Sequence, residues 1–117
     1  MNRIRRLTAL ALVATGLAAP FGLAHAQAFP NKPLRIIVPT AAGGGNDVIA
    51  RTIGEKMSAS MGQPVVVENR TGASGTIGTD FVAKAAPDGY TLTFASDAPI
   101  TIVPNLMPAI PYNPLRD

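Results

Sequence analysis

The stretch Leu34-Arg35-Ile36-Ile37-Val38-Pro39-Thr40-Ala41-Ala42-Gly43-Gly44-Gly45-Asn46-Asp47 joins three signals in immediate succession. Leu34–Val38 is apolar on both alternating faces, apart from Arg35, as expected of a strand buried in a parallel sheet. Pro39 ends it, because proline has no N–H to give to a ladder. Ala41–Gly45 is a loop of small residues, and Asn46 or Asp47 is a suitable N-cap for a following helix. Strand, Gly-rich loop and helix in that order open a β-α-β unit.

Outward from this stretch the pattern repeats. A helix is expected over Asp47–Met61, where Ile49, Ile53, Met57 and Met61 recur every four residues with Val48 beside them, forming the apolar stripe. Arg51 and Glu55 are spaced to pair on its surface. Gly62 fits the C′ position and Pro64 prevents continuation. Val65–Glu68 is a second, β-branched strand, and Arg70–Gly75 a second glycine-containing loop. Thr76–Ala86 reads as a second helix with Ile77, Phe81, Val82 and Ala85 on one side. Pro87-Asp88-Gly89 is a turn, Tyr90–Ala95 a third strand, and Ser96–Pro99 a third loop. After Ile100 the recurrent prolines Pro104, Pro108, Pro111 and Pro114 leave no clear element. The order β-α-β-α-β implies an α/β fold with a parallel sheet and right-handed crossovers. Its three post-strand loops open on the C-terminal edge of the sheet, where ligands of open α/β sheets bind.

The chain has 117 residues, no Cys, one His and a formal charge of +3. Met1–Arg6 is basic, Leu7–Ala19 is a 13-residue apolar run, and Ala24-His25-Ala26 supplies small residues at −3 and −1. This is the layout of an export signal cleaved after Ala26. Thirteen helical residues reach roughly 20 Å, short of the roughly 30 Å hydrocarbon core a membrane anchor must cross. Without residues 1–26, seven Lys and Arg face seven Asp and Glu, so the basic pI belongs to the signal. A nucleic-acid partner loses its electrostatic basis. His25 leaves with the signal, so the processed chain has neither thiolate nor imidazole for nucleophilic, general-base or transition-metal chemistry. No cofactor, metal site or catalytic motif is indicated. A Ser–Lys hydrolase built from Ser74 or Ser96 with a lysine, Lys56 or Lys84, is the remaining enzymatic alternative.

The loops suit an anion. Glycine tolerates the backbone angles that aim several N–H groups at one point, and a helix N-terminus adds unpaired donors and the positive dipole end. A P-loop is ruled out because Gly45 is followed by Asn46-Asp47 rather than Lys-Ser/Thr, and Val48 stands where the dinucleotide fingerprint needs glycine. A carboxylate, carrying less charge than phosphate, tolerates the acid at Asp47. Two readings of Asp47 stand: a helix N-terminal acid, or an acceptor for a polar ligand group. Ser74 and Ser96 either donate to a carboxylate or shape their loops. Asp97 reads as a solvated loop acid, and Arg70 as a surface cation or a partner for an anionic ligand.

Several segments resemble, in order and spacing, the Bug-type substrate-binding proteins of tripartite tricarboxylate transporters. They are Phe29-Pro30-Asn31-Lys32-Pro33 leading into Leu34–Pro39, Gly43-Gly44-Gly45-Asn46-Asp47, and Gly62-Gln63-Pro64-Val65-Val66-Val67-Glu68-Asn69-Arg70. Gly72-Ala73-Ser74-Gly75-Thr76-Ile77-Gly78, Ala83–Leu92 and Pro111-Tyr112-Asn113-Pro114 with Asp117 continue the likeness, which covers residues 29–117. The resemblance implies the start of lobe 1 of a two-lobed periplasmic-binding-protein (type II) fold, closing on a small carboxylate. It places Thr40, Ala41, Ala42, Gly43, Gly44, Gly45, Asn46 and Asp47 in the first-lobe clamp, with Ser74, Gly75, Ser96 and Asp97 in the neighbouring wall. Implied partners are the solute and the two membrane permease subunits of an ion-gradient-driven transporter, and the receptor is a monomer when full length. Thr40 stands where the family usually has an aromatic residue, and Asp97 where a neutral one is commoner. The family plan divides the chain into signal 1–26, part of lobe 1 over 27–103 and a Pro-rich crossover over 104–117. The expectation is therefore a fragment that binds weakly or not at all by itself. The alternative is a truncated, non-binding remnant or interaction module.

Overall fold

The computed structural model describes residues 28–117, so the expected signal and its cleavage after Ala26 lie outside the described residues. Three parallel strands, β1 (Leu34–Val38), β2 (Val65–Asn69) and β3 (Thr91–Thr93), form a sheet in the order β2-β1-β3. Helix α1 (Gly45–Met61) joins β1 to β2, and α2 (Thr76–Ala83) joins β2 to β3. The expected β-α-β-α-β order and parallel sheet are thus present.

The central strand carries the core. Leu34, Ile36, Ile37 and Val38 are all at most 4% exposed. On one face, Ile36 and Val38 pack with Ala50 of α1 and with Val65, Val67, Leu92 and Phe94. On the other, α2 sets Phe81 against the Arg35 guanidinium, 5.5 Å from the ring centroid, and the Arg70 guanidinium, 3.7 Å away. Arg35 also forms two 2.8 Å bonds to the carboxylate of Glu68 on β2, which hold that carboxyl below its ordinary range. The one charge in the buried strand is therefore matched by the neighbouring strand and a ring.

Element boundaries follow local chemistry. Gly62 closes α1 in the left-handed conformation at φ 67°, its N–H bonded to the Ser58 carbonyl, as its C′ placement predicts. The second helix ends at Ala83 rather than at Ala86, ahead of Pro87. The third strand is shorter than Tyr90–Ala95, although the Tyr90 carbonyl and Phe94 N–H still bond to β1 on either side of it.

Three expectations are corrected. The N-terminal part of the expected stripe does not face the sheet: Ile49, Ile53 and Val48 are 50%, 40% and 56% exposed, while Asp47, Ala50 and Gly54 are buried; Met57, further along it, does pack against the core. The sheet selects the small side because it lets the helix come close. A Cβ on Gly54 would lie 3.3 Å from Val67 and 3.4 Å from Val65. Arg51 likewise reaches back to Asp47, not forward to Glu55. The segment after Ile100 is also ordered. A π-helical turn over Ala98–Ile102 runs into a short helix α3 (Val103–Leu106). Val103 N–H bonds to the Ala98 carbonyl five residues back, so the ladder is already widened where Pro104 has no N–H to give. Tyr112, buried, returns over this turn and donates a 2.6 Å bond to the Pro99 carbonyl.

Close packing also fixes α2. A Cβ on Gly78 would fall 2.6 Å from the Arg70 carbonyl oxygen and 3.1 Å from Pro39 Cβ, both parts of the backbone frame or bound to it. Gly78→Ala should therefore destabilise the domain by roughly 1–3 kcal/mol through overpacking. A urea midpoint equal to that of the unaltered chain would contradict this close approach.

Candidate functional site

At the C-terminal edge of the sheet, the three post-strand loops border an open groove of about 450 Å³. Thr40 and Ala41 line it from the first loop, Ser74 and Gly75 from the second, and Ser96 and Ala98 from the third. A sheet ordered β2-β1-β3 places this groove at the point where successive connections leave in opposite directions, the usual ligand position in doubly wound folds.

The second loop is bent back on itself. Gly72, Ala73, Ser74 and Gly75 all have positive φ, at 123°, 47°, 54° and 90°, and Gly75 N–H closes the turn on the Gly72 carbonyl at 3.0 Å. For Ala73 and Ser74 this costs about 1–2 kcal/mol each, a strain that survives only where the surroundings impose it. Gly75 supplies that constraint. A Cβ there would meet Pro99 Cγ at 3.2 Å and Pro39 Cβ at 3.3 Å, so all three loops converge on its backbone. Thr79 of α2 adds a 3.0 Å bond from its hydroxyl to the Gly75 carbonyl. Two buried hydroxyl oxygens in this cluster, Thr40 Oγ1 and Thr76 Oγ1, have no hydrogen-bond partner among the described residues.

The first loop is held by a carboxylate. Helix α1 starts at Gly45 with Gly44 as its cap, in place of Asn46 or Asp47. Asp47, 3% exposed, instead turns its side chain back beneath the loop that precedes it. Its Oδ2 accepts 2.8 Å and 3.1 Å bonds from Gly43 N–H and Arg51 Nε, and its Oδ1 a 2.9 Å bond from Asn69 Nδ2. Asn69 also donates to the Thr40 carbonyl at 3.1 Å and accepts from Arg51 Nη2 at 3.0 Å. The Arg51 guanidinium, the Gly43 N–H and the Asn69 amide hold the Asp47 carboxyl at about 2. Asp47 is an acid of the first helical turn, as one of its two readings has it, and its carboxylate is engaged by groups of the chain itself.

Of the expected site residues, Thr40, Ala41, Ser74, Gly75 and Ser96 come together on the groove. Ala42, Gly43, Gly44 and Gly45 are exposed beside it, Asn46 is half-buried at the helix start, and Asp97 is exposed just before the π-helical turn. None of these lines the groove. Arg70 turns away onto Phe81 and Glu68, the latter at 3.6 Å. Lys84 is taken by Asp80 at 2.7 Å and is not on the groove, so the serine–lysine pairing is not assembled with Ser74 or Ser96. Sequence reasoning missed Asn69 and Arg51. The Asp-x-x-x-Arg spacing of Asp47 and Arg51 was the available signal for one of them.

An open α/β lobe with a groove where its strand-to-helix loops converge has the usual ligand-binding layout of a doubly wound fold. Residues 49–117 match the Tripartite tricarboxylate transporter family receptor, TctC. BugT of Bordetella pertussis is 45% identical over all of this chain and 35% of its own length. A solved periplasmic transporter superposes with a TM-score of 0.74 at 47% identity, over 77% of this chain and 30% of that one. MatC from Rhodopseudomonas palustris with bound malate gives 0.67 at 38% identity, over 74% and 29%. The chain belongs to the TctC family of periplasmic solute-binding receptors, and it spans about a third of the length of these relatives.

The internal role of Asp47 has a pH signature. Its folded pKa lies below the ordinary 3.8, so the stabilisation it gives is complete above that value and is lost as pH falls through about 2. The Gly43 amide proton resonance should hold its position down to pH 4 and move with a midpoint close to 2. Movement centred near 4 would mean that the carboxylate is not engaged.

Proposed function

We propose that residues 27–103 form the first-lobe face of a clamp for a small carboxylate, in a receptor that delivers its solute to the two membrane permease subunits of a tripartite tricarboxylate-type secondary transporter. The export signal would be removed after Ala26 to release the receptor into the periplasm, and residues 104–117 would lead toward a second lobe. In this reading the receptor works as a monomer and uses no cofactor.

The observation that carries the reading is the chemistry of the groove. Backbone from three loops and the side chains of Thr40, Thr71, Ser74 and Ser96 line it, with no cationic side chain among them. Neutral donors and a helix start hold one carboxylate without committing a buried charge to it. The unspent hydroxyls of Thr40 and Thr76 add donor capacity beside it. The malate in MatC supports a hydroxy-dicarboxylate as the first probe. The exposed loop Ala42–Gly45 and Asn46 would complete the carboxylate contacts.

Titration of the ¹⁵N-labelled chain with malate tests this. The amides of Gly44, Gly45 and Gly75 should shift together, with an affinity on the order of 1 mM, about 4 kcal/mol, since one face of the clamp is engaged. The uncharged diamide of malate should shift none of them. Shifts confined to Arg35, Arg70 and Lys84 would mark nonspecific ion pairing and overturn the assignment of the site.

A further inference from the structure

We infer that Asn69 and Arg51, two residues outside the groove, are positioning residues that set the conformation of the Gly-rich first loop through Asp47; for solute binding the inference rests on the carboxylate reading above.

The loop needs an external template. Ala41 through Gly45 are all exposed, and three successive glycines give the segment more backbone freedom than any other residue type would. Within the loop, Gly44 N–H closes on the Ala41 carbonyl at 3.3 Å. The stronger constraints come from outside it. Gly43, at φ 80°, gives its N–H to the Asp47 carboxylate at 2.8 Å. The Thr40 carbonyl, at the loop's entry, is taken by the Asn69 amide at 3.1 Å. Asn69 thus touches both ends of the segment, directly at Thr40 and through Asp47 at Gly43.

Asn69 is itself fixed by the sheet. It is the last residue of β2 and pairs in register with Val38, the last residue of β1. The following residue locks that register, Arg70 N–H bonding to the Val38 carbonyl at 2.9 Å. A slip of one residue would carry the carboxamide to the opposite face of the sheet. Arg51, one helical turn beyond Asp47 and half-exposed, closes the triangle: Nε reaches Asp47 and Nη2 reaches the Asn69 oxygen. That last bond orients the carboxamide, because its oxygen must face Arg51 for its NH₂ to face both Asp47 and Thr40. Each member of the triangle fixes the geometry of the other two, as second-layer partners orient the groups that touch a ligand.

The test uses the whole ¹⁵N-labelled chain with Asn69→Leu, Asn69→Gln and Arg51→Met, and malate as the probe. Asn69→Leu keeps the four-atom, Cγ-branched outline of the side chain and removes every polar side-chain contact. The Gly43 amide proton should move upfield, while the amide of Tyr90, at the far end of the sheet, stays in place. Malate affinity read at Gly44 and Gly45 should fall by about ten-fold, in line with the loss of an orienting partner. Asn69→Gln, which retains the carboxamide on a longer stem, should recover part of both readings. Arg51→Met alters only a half-exposed side chain, so its fold is retained if Asn69→Leu fails to fold. It should move Gly43 in the same direction and raise the pH at which that resonance titrates. An unchanged Gly43 resonance in both Asn69→Leu and Arg51→Met overturns the inference, as does unchanged malate affinity with a displaced loop. If the unaltered chain does not bind malate, the carboxylate reading fails for that probe, and the Gly43 resonance alone decides the positioning role.

Discussion

β1 has almost no polar face to give to water, and the architecture follows from covering it. Its four apolar residues are buried from both sides, so strands must flank it and a helix must lie on each face. The chain meets that demand by passing α1 across one face to β2, then α2 across the other to β3, and all three strands consequently point the same way. Convergence of the three loops at one edge is a by-product of burying β1. The groove is therefore a feature of the core's geometry before it is a feature of any ligand.

The same strand explains why the loops can be irregular. Pro39, directly after β1, is buried, and it forms the surface against which Gly75 and Gly78 both pack. A rigid residue at the end of the central strand gives the second loop a fixed wall, and Pro99 gives it another. Gly75 lies between the two prolines, and the backbone of Gly72–Gly75 leading to it holds positive φ throughout, although Ala73 and Ser74 disfavour it. Strain of this kind is stored where surrounding packing outweighs it, and here the packing comes from all three loops at once.

Much of the fold was legible because periodicity and punctuation agree in this sequence. Leu34–Val38 could be read as a buried strand from its unbroken apolar character, and Gly62 as a helix stop from the Pro64 that follows. The rotation of α1 was not legible. Hydrophobicity favours Ile49 and Ile53 for the buried side, but hydrophobicity does not measure how near a helix axis can come to a sheet. Ala50 and Gly54 win because close approach buries more of Val65, Val67 and Ile36 than the larger side chains could at greater distance. The tail after Ile100 was misread for a related reason. Proline was counted as a helix breaker, whereas Pro99 and Pro104 both stand in the first turn of their elements, where a missing N–H is tolerated.

The site was legible in outline but not in its support. Small residues in post-strand loops announce close approach, so Ala41, Ser74, Gly75 and Ser96 could be grouped at one edge of the sheet from sequence, and the family resemblance added Thr40. An acid at the start of a helix is ordinary in itself, and nothing local distinguishes an Asp47 that faces solvent from one folded under the preceding loop. The distinction is made by Asn69, a residue separated from Asp47 by an entire helix and strand and brought beside it only by the register of β1 with β2. Information of that kind exists in the pairing of strands rather than in any window of sequence. It also couples two properties that look independent. The register that packs Val65 and Val67 against the core is the register that presents the Asn69 amide to Thr40 and Asp47, so the loop at the groove depends for its shape on the pairing of the sheet.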